Sequence, residues 1–254
     1  MLEAKLVSEP LLLEFGNTRW KLARVTDQET LEFLGVGSEL EPLIALIQSI
    51  SAPYVAVANV AKPEHVQRLH DACKGRAEVQ EAVVESGYDI TLCYQDPSRL
   101  GVDRWLTLLA VRPAKESVAI IDAGTAVTLD VLSADGEHLG GWIAPGFRLM
   151  QEALIQKSSR LRINDEAPVG LIGKGTEAAI HLGCQASLQG FAAEAVLAAK
   201  ESLQEYPDRV IITGGDGKLI NKKALPHVPE GVVEERPHLV LEGLAQWIKH
   251  RRSA

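Results

Sequence analysis

Two stretches of the chain share one pattern of apolar and polar positions. Leu11-Leu12-Leu13-Glu14-Phe15-Gly16-Asn17-Thr18 and Ala119-Ile120-Ile121-Asp122-Ala123-Gly124-Thr125-Ala126 each run from a short apolar segment to a carboxylate, any residue, a glycine and a small polar or small residue. A second strand-like run follows each of them, Trp20 to Val25 and Val127 to Leu132. The pattern predicts two β-hairpins at corresponding places in two halves of the chain.

Alternating strand and helix signals continue in both halves. In the first they predict a helix around Ser38 to Ser49, a strand at Tyr54–Val60, a helix at Pro63–Lys74, a strand at Ala77–Val84 and a helix from Val102 to Arg112. The second half has a helix near Arg148–Lys157, a long apolar-striped helix from Thr176 to about Gln204, a strand at Arg209–Thr213 and a closing helix from Leu239 to His250. Strands alternating with helices point to a layered α/β fold. Pro113–Ser117 separates helix from strand and marks the expected boundary, giving domains at 10–115 and 116–254.

Composition narrows the choice of partners. The 254 residues carry 26 basic and 34 acidic side chains, a net charge of −8, with no basic block. Nothing in that balance attracts a phosphate backbone or an anionic membrane, so nucleic acid and membrane are not expected partners. The uncharged stretch Pro42 to Ala61 is interrupted by Gln48, Ser49, Ser51, Pro53 and Asn59, and reads as helix, turn and buried strand rather than a membrane span. Cys73, Cys93 and Cys184 make no C-x-x-C pair, and the seven histidines show no metal spacing. The expected setting is a reducing, cytoplasmic one.

The glycine turns are the first candidate chemistry. A glycine permits φ > 0 and leaves backbone that a phosphate can approach. Facing one another across a cleft, the N–H groups of Gly16–Thr18 and Gly124–Ala126 would converge on one anion, while Glu14 and Asp122 would supply oxygens for a cation. Taken singly, either hairpin is equally an ordinary turn. Lys21 could reach a phosphate or stand as a solvated strand residue. Neither G-x-x-x-x-G-K-[ST] nor a helix-opening G-x-G-x-x-G is present.

Tyr94-Gln95-Asp96-Pro97-Ser98-Arg99-Leu100-Gly101-Val102-Asp103-Arg104 is the second candidate. Asp103 falls in the first turn of a helix, where it either complements the helix dipole or accepts a hydroxyl proton; Arg104 beside it offers a fork for a carboxylate or phosphate. A third group comprises the glycine-dense segment Gly140 to Gly146, expected to be a loop leading into a helix, Thr176 at an expected N-cap, and Thr213-Gly214-Gly215 after the last core strand.

In this order the segments resemble the type III pantothenate kinases of the actin-like ATPase superfamily. The family pattern D-x-G-N-T, Y-x-x-P-x-x-x-G-x-D-R, D-x-G-T-A-x-T-x-D, G-G-x-I-x-P-G, G-x-x-T-x-x-A-x-x-x-G, T-G-G and L-x-L-x-G-L is followed in order from Glu14, which stands at the first aspartate, to Leu244. The resemblance implies two similar RNase-H-like halves with mixed sheets flanked by helices and an active site in the cleft between them. It implies ATP-dependent phosphorylation of pantothenate to 4'-phosphopantothenate, the first step of coenzyme A biosynthesis, with magnesium and a potassium or ammonium ion. Carried over by position, Gly16, Asn17, Thr18 and Lys21 would bind ATP phosphates with Gly124 and Thr125. Asp122 would hold the monovalent cation, and Glu14 a magnesium ion. Tyr94, Gly101, Val102, Asp103 and Arg104 would contact pantothenate, with Asp103 the proton acceptor. Thr176 would serve the neighbouring subunit's site, which implies a homodimer with shared active sites.

One departure stands out. Glu14 replaces the family's usual aspartate, adding a methylene that moves the carboxylate by about 1 Å, a displacement able to cost on the order of 10²-fold in rate. Two other readings therefore stay open: a different small-molecule kinase of the superfamily, and a catalytically impaired, nucleotide-binding regulatory relative.

Overall fold

Two five-stranded mixed sheets organise the chain in a computed structural model that describes residues 9–16, 18–26, 30–60, 62–156, 168–225, 228–229 and 231–253. The first sheet contains β1 (Leu11–Phe15), β2 (Trp20–Val25), β3 (Leu31–Gly37), β4 (Tyr54–Asn59) and β5 (Glu78–Glu81) in the order β3-β2-β1-β4-β5. In the second, β6 (Val118–Ala123), β7 (Ala126–Leu132), β8 (His138–Pro145), β9 (Arg209–Thr213) and β10 (Val233–Glu235) stand in the order β10-β9-β6-β7-β8.

Read from the meander side, the two orders coincide. In each, three antiparallel strands joined by hairpins are followed by two parallel strands: β1 pairs antiparallel with β2 and parallel with β4, as β6 does with β7 and β9. The hairpin repeat in the sequence is thus one part of a repeated sheet.

Contacts divide the described residues into two compact units. The first draws on Met1–Tyr88, Tyr94–Pro113 and Leu239–Ala254, the second on Asp89–Cys93 and Ala114–His238. This differs from the expected division at 115/116 in two main respects: Asp89–Cys93 belongs with the second unit, and the closing helix packs with the first. The structural reason for the second is a close helix crossing. Gly243 of α6 (Leu239–Ser253) lies so near α3 (Val102–Val111) that a Cβ would stand 1.9 Å from the Leu106 carbonyl oxygen. The glycine of the terminal L-x-L-x-G-L motif is therefore a packing requirement.

In the first unit the strand pleat sorts the core. Leu11, Leu13 and Phe15 of β1 join Val55 and Val57 of β4 in a buried cluster with Leu40, Leu43 and Ile47 of α1 (Leu40–Ser49) and Val66 and Leu69 of α2 (Pro63–Cys73). Both helices present buried residues at three- and four-residue spacing. In the second unit α4 (Phe147–Gln156) and α5 (Thr176–Leu203) cover β6, β7 and β9. Cys184, Leu188, Ala192, Ala195, Val196 and Ala199 make a buried stripe on α5, in which small alanines allow close approach to the sheet.

Two sequence expectations change here. Gly140 to Pro145, expected as loop, is part of β8, paired residue by residue with β7 from Ala126↔Pro145 to Val131↔Gly140. Ladder bonds override the low strand propensity of glycine. Thr176 is the first helical residue of α5 rather than its N-cap; Gly175 is extended there, and its carbonyl accepts from the Ala179 N–H at 2.9 Å.

Candidate active site

In the first unit the segment after Tyr94 is built to present Asp103. Asp96 accepts from the Ser98 N–H at 3.1 Å and the Ser98 hydroxyl at 2.6 Å, closing the single 3₁₀ turn Pro97–Arg99. Gly101 is the N-cap of α3, and its carbonyl accepts from the Trp105 N–H at 3.0 Å. Val102 opens the helix and Asp103 follows in its first turn, half-buried, with Oδ1 accepting from the Arg104 N–H at 2.8 Å. That carboxylate lies over Gly101: a Cβ at position 101 would be 2.5 Å from Asp103 Oδ1. Glycine there makes room for the acid.

Arg104 is only 7% exposed, an unusual setting for a guanidinium. Its Nη1 donates to the Tyr94 hydroxyl at 3.0 Å, and its carbonyl accepts from the Thr107 hydroxyl at 2.7 Å. Trp105, Leu106, Leu108 and Leu109 anchor α3 in the core below. Tyr94, Gly101, Val102, Asp103 and Arg104 thus come together on one rigid helix start and the turn before it, a carboxylate beside a cation and a phenol.

The first hairpin differs from its expected role. Glu14 and Lys21 are directly opposed in the β1–β2 register, and Lys21 Nζ lies 2.9 and 3.2 Å from the two Glu14 oxygens. Both side chains are largely covered, so the pair neutralises itself inside the hairpin. Glu14 is then not the open carboxylate that a magnesium ion would require, nor Lys21 an uncommitted point charge for phosphate. The additional methylene of Glu14 provides the reach for this contact. The Gly16 N–H donates back to the Arg19 carbonyl at 3.0 Å, closing the turn rather than facing an anion. Thr18 is exposed beyond it, and Asn17 lies outside the described residues.

The second hairpin ends among glycines. The Gly124 N–H donates to the Ala126 carbonyl at 2.9 Å, which again removes one expected anion donor. Thr125 is exposed at the tip, and its carbonyl accepts from the Gly146 N–H at 3.0 Å. A Cβ on Gly146 would stand 2.1 Å from the Gly124 carbonyl oxygen. Gly214, at φ +89°, would place one 2.3 Å from the Ala123 carbonyl oxygen and 2.4 Å from Asp122 Oδ1. A Cβ on Gly124 would stand 3.6 Å from the same oxygen, so bare backbone at Gly214 and Gly124 borders Asp122 Oδ1, beside the Ala123 carbonyl. A carboxylate among carbonyl oxygens is the donor chemistry of a hard, weakly polarising cation. The sequence hinted at this packing through the glycines after β8 and β9, but not that Gly146 closes on the Gly124–Thr125 backbone and Gly214 on Asp122.

Thr176 is exposed at the start of α5, with Gly175 before it. Among the described residues there is no group of three or more His, Cys, Asp or Glu able to hold a metal ion, and no helix long and apolar enough to cross a membrane.

The comparisons with known proteins agree with the motif order. A family model described as type III pantothenate kinase matches residues 10–198. A type III pantothenate kinase of Acinetobacter baumannii (strain ACICU) is 35% identical over 249 residues, covering 94% of this chain and 97% of its own. Among solved structures, the archaeal actin homolog Ta0583 superposes with a TM-score of 0.51 at 10% identity, covering 95% of this chain and 99% of that one. MreB 5 of Spiroplasma citri bound to AMPPNP gives 0.51 at 11% identity, covering 97% and 98%. The last two show the fold alone, an actin-like one. From the family match over most of the chain and the relative at 35% identity, the chain belongs to the type III pantothenate kinase family.

Proposed function

We propose that Asp103 is the proton acceptor in the ATP-dependent phosphorylation of pantothenate, the reaction that family membership assigns to this chain and the first step of coenzyme A biosynthesis. The observation that carries the proposal is the Gly101–Asp103–Arg104–Tyr94 arrangement at the start of α3. The primary hydroxyl of pantothenate gives its proton to the Asp103 carboxylate as its oxygen takes the γ-phosphoryl group, and ADP leaves. Arg104, held by Tyr94, faces the acceptor's carboxylate. Phosphoryl transfer demands little covalent chemistry, so positioning and charge neutralisation supply most of the rate.

Thr18 of the first unit and Thr125 of the second, each exposed at its own hairpin tip with Gly16 or Gly124 shaping the turn behind it, are the residues assigned to ATP phosphates. Asp122, bordered by Gly214 and Gly124, fits a monovalent cation, potassium or ammonium. Such an ion would add positive charge near the triphosphate. Glu14, already neutralised by Lys21, does not fit a magnesium ligand. The enzyme is a homodimer in which Thr176 of one subunit completes the acceptor site of its neighbour.

The test is a coupled assay of purified protein with ATP, magnesium and pantothenate, with and without potassium, against a panel of other small alcohols. Asp103→Asn should leave ATP affinity nearly unchanged and lower turnover about 10²–10⁴-fold, the usual range for lost general-base assistance. Comparable turnover in that variant would remove Asp103 from the role. ATP binding without pantothenate turnover in the parent protein would remove the activity itself.

A further inference from the structure

The second unit buries an acid and a histidine that lie outside the site residues assigned above. Asp130 in β7 and His138 at the start of β8 have side chains 1% and 0% exposed, and His138 Nε2 lies 2.9 Å from Asp130 Oδ1. Burying such a pair costs several kcal/mol of desolvation per ion when both are charged, so its presence calls for a compensating role. The other ring nitrogen points elsewhere: His138 Nδ1 lies 3.7 Å from Cys93 Sγ.

Backbone bonds hold the thiol in place. The Thr91 N–H donates to the Gly136 carbonyl at 2.9 Å and the His138 N–H to the Thr91 carbonyl at 2.9 Å, so Thr91 to Cys93 runs alongside the start of β8. Gly140, at φ +115°, lies beneath the sulfur; a Cβ there would be 3.8 Å from Cys93 Sγ. Cys93 is exposed, whereas Cys73 and Cys184 are buried, and burial pushes both of those thiols up. His138 stands against the sulfur with Asp130 behind it, and Glu137 lies on the segment that pairs with Thr91.

The chemistry follows from this order of atoms. In the tautomer that donates Nε2–H to Asp130, the Nδ1 lone pair faces the sulfur. The thiol proton would then pass to Nδ1, with the buried carboxylate beside the imidazolium, and leave an exposed thiolate. The same three residue types in this order, nucleophile, base and orienting acid, activate thiols in unrelated folds.

We propose that Cys93 is an activated nucleophilic thiol, with His138 its base and Asp130 the positioning residue, and that it undergoes exchange with low-molecular-weight disulfides. The Cys93 thiolate attacks one sulfur of the disulfide; a bond forms between them as the original S–S bond breaks. The leaving thiolate takes the proton held on His138. Cys93 is oxidised to a mixed disulfide, the incoming disulfide is reduced to one equivalent of thiol, and a second thiol reverses the step. The proposal rests on the second unit alone and is independent of the kinase reading.

The test uses the full chain and two probes. With oxidised glutathione, intact mass and peptide mapping should find one adduct, at Cys93. With iodoacetamide at about pH 6, Cys93 should alkylate at least roughly tenfold faster than N-acetylcysteine, whose unperturbed thiol is almost wholly protonated there. His138→Gln should lower that rate about tenfold or more while leaving the sulfur just as exposed. Alkylation of the parent protein no faster than the free thiol, or a rate unchanged by His138→Gln, overturns the proposal. Should His138→Gln fail to fold, the parent comparison with N-acetylcysteine decides alone.

Discussion

At position 101 the absence of a side chain controls where a carboxylate can lie. The backbone of Gly101 has φ −59° and ψ 135°, open to any residue, so an alanine would meet no backbone strain. Its Cβ would instead stand 2.5 Å from Asp103 Oδ1 and turn the acid away from its present position. Gly101→Ala should therefore keep stability within about 1 kcal/mol of the parent. Turnover should fall on the order of 10²-fold, the effect of a misplacement near 1 Å. Melting temperature and kcat, measured together, separate the two effects; parental kcat would show that this orientation of Asp103 is not needed. At Glu14 the residue-scale lesson is different. Its identity was legible as a departure from the family, but its consequence was not, because only the β1–β2 register sets Lys21 opposite it.

Elements are tied together by small polar devices that periodicity does not announce. Asp208, just before β9, accepts from the Ser117 N–H and hydroxyl, both at 2.8 Å, and its own N–H donates to the Ser117 oxygen at 3.0 Å. These bonds join the entries of the parallel strands β6 and β9. The Ser117 N–H first, and then its hydroxyl, hold the Asp208 carboxyl below the usual carboxylate range. A lowered folded-state value means a contribution to stability that is present above the unfolded value and lost as pH falls through the folded one. Ser117→Ala should therefore be less stable than the parent at neutral pH. The gap should close as acid protonates Asp208; urea unfolding of both proteins across that range measures it. A gap that stays constant with pH would mean that the Ser117 hydroxyl adds no proton-linked stability through Asp208, since the backbone N–H is present in both proteins. Strand β8 shows the complementary failure of local reading: its glycines suggested a loop, yet Gly140 to Pro145 pair residue by residue with β7, and pairing is a property of two segments.

For the whole molecule, each sheet repeats the other's strand order, while the closing helix returns to the first unit through the Gly243–Leu106 approach. The proposed dimer makes a prediction at this scale. If Thr176 serves the neighbour's acceptor site, a protein lacking Asp103 and one lacking Thr176 each fail alone. A mixture of Asp103→Asn and Thr176→Val chains, unfolded and refolded together, should then recover about a quarter of parental activity. Half of the randomly formed dimers would be mixed, and each would hold one complete site. No recovery on mixing, with the parent eluting as a monomer, would end the shared-site reading.

The sequence by itself determined the alternation of strands and helices, the repeated hairpins, the acid at the first turn of α3 and the family. Each of these rests on local periodicity or on motifs in a fixed order along the chain. Tertiary structure alone decided that Glu14 and Lys21 neutralise one another, that Gly214 closes on Asp122, that the last helix belongs to the first unit, and that Cys93, His138 and Asp130 meet. Those outcomes depend on register and on contacts between residues far apart in the chain, where free energy comes from packing and pairing rather than local propensity.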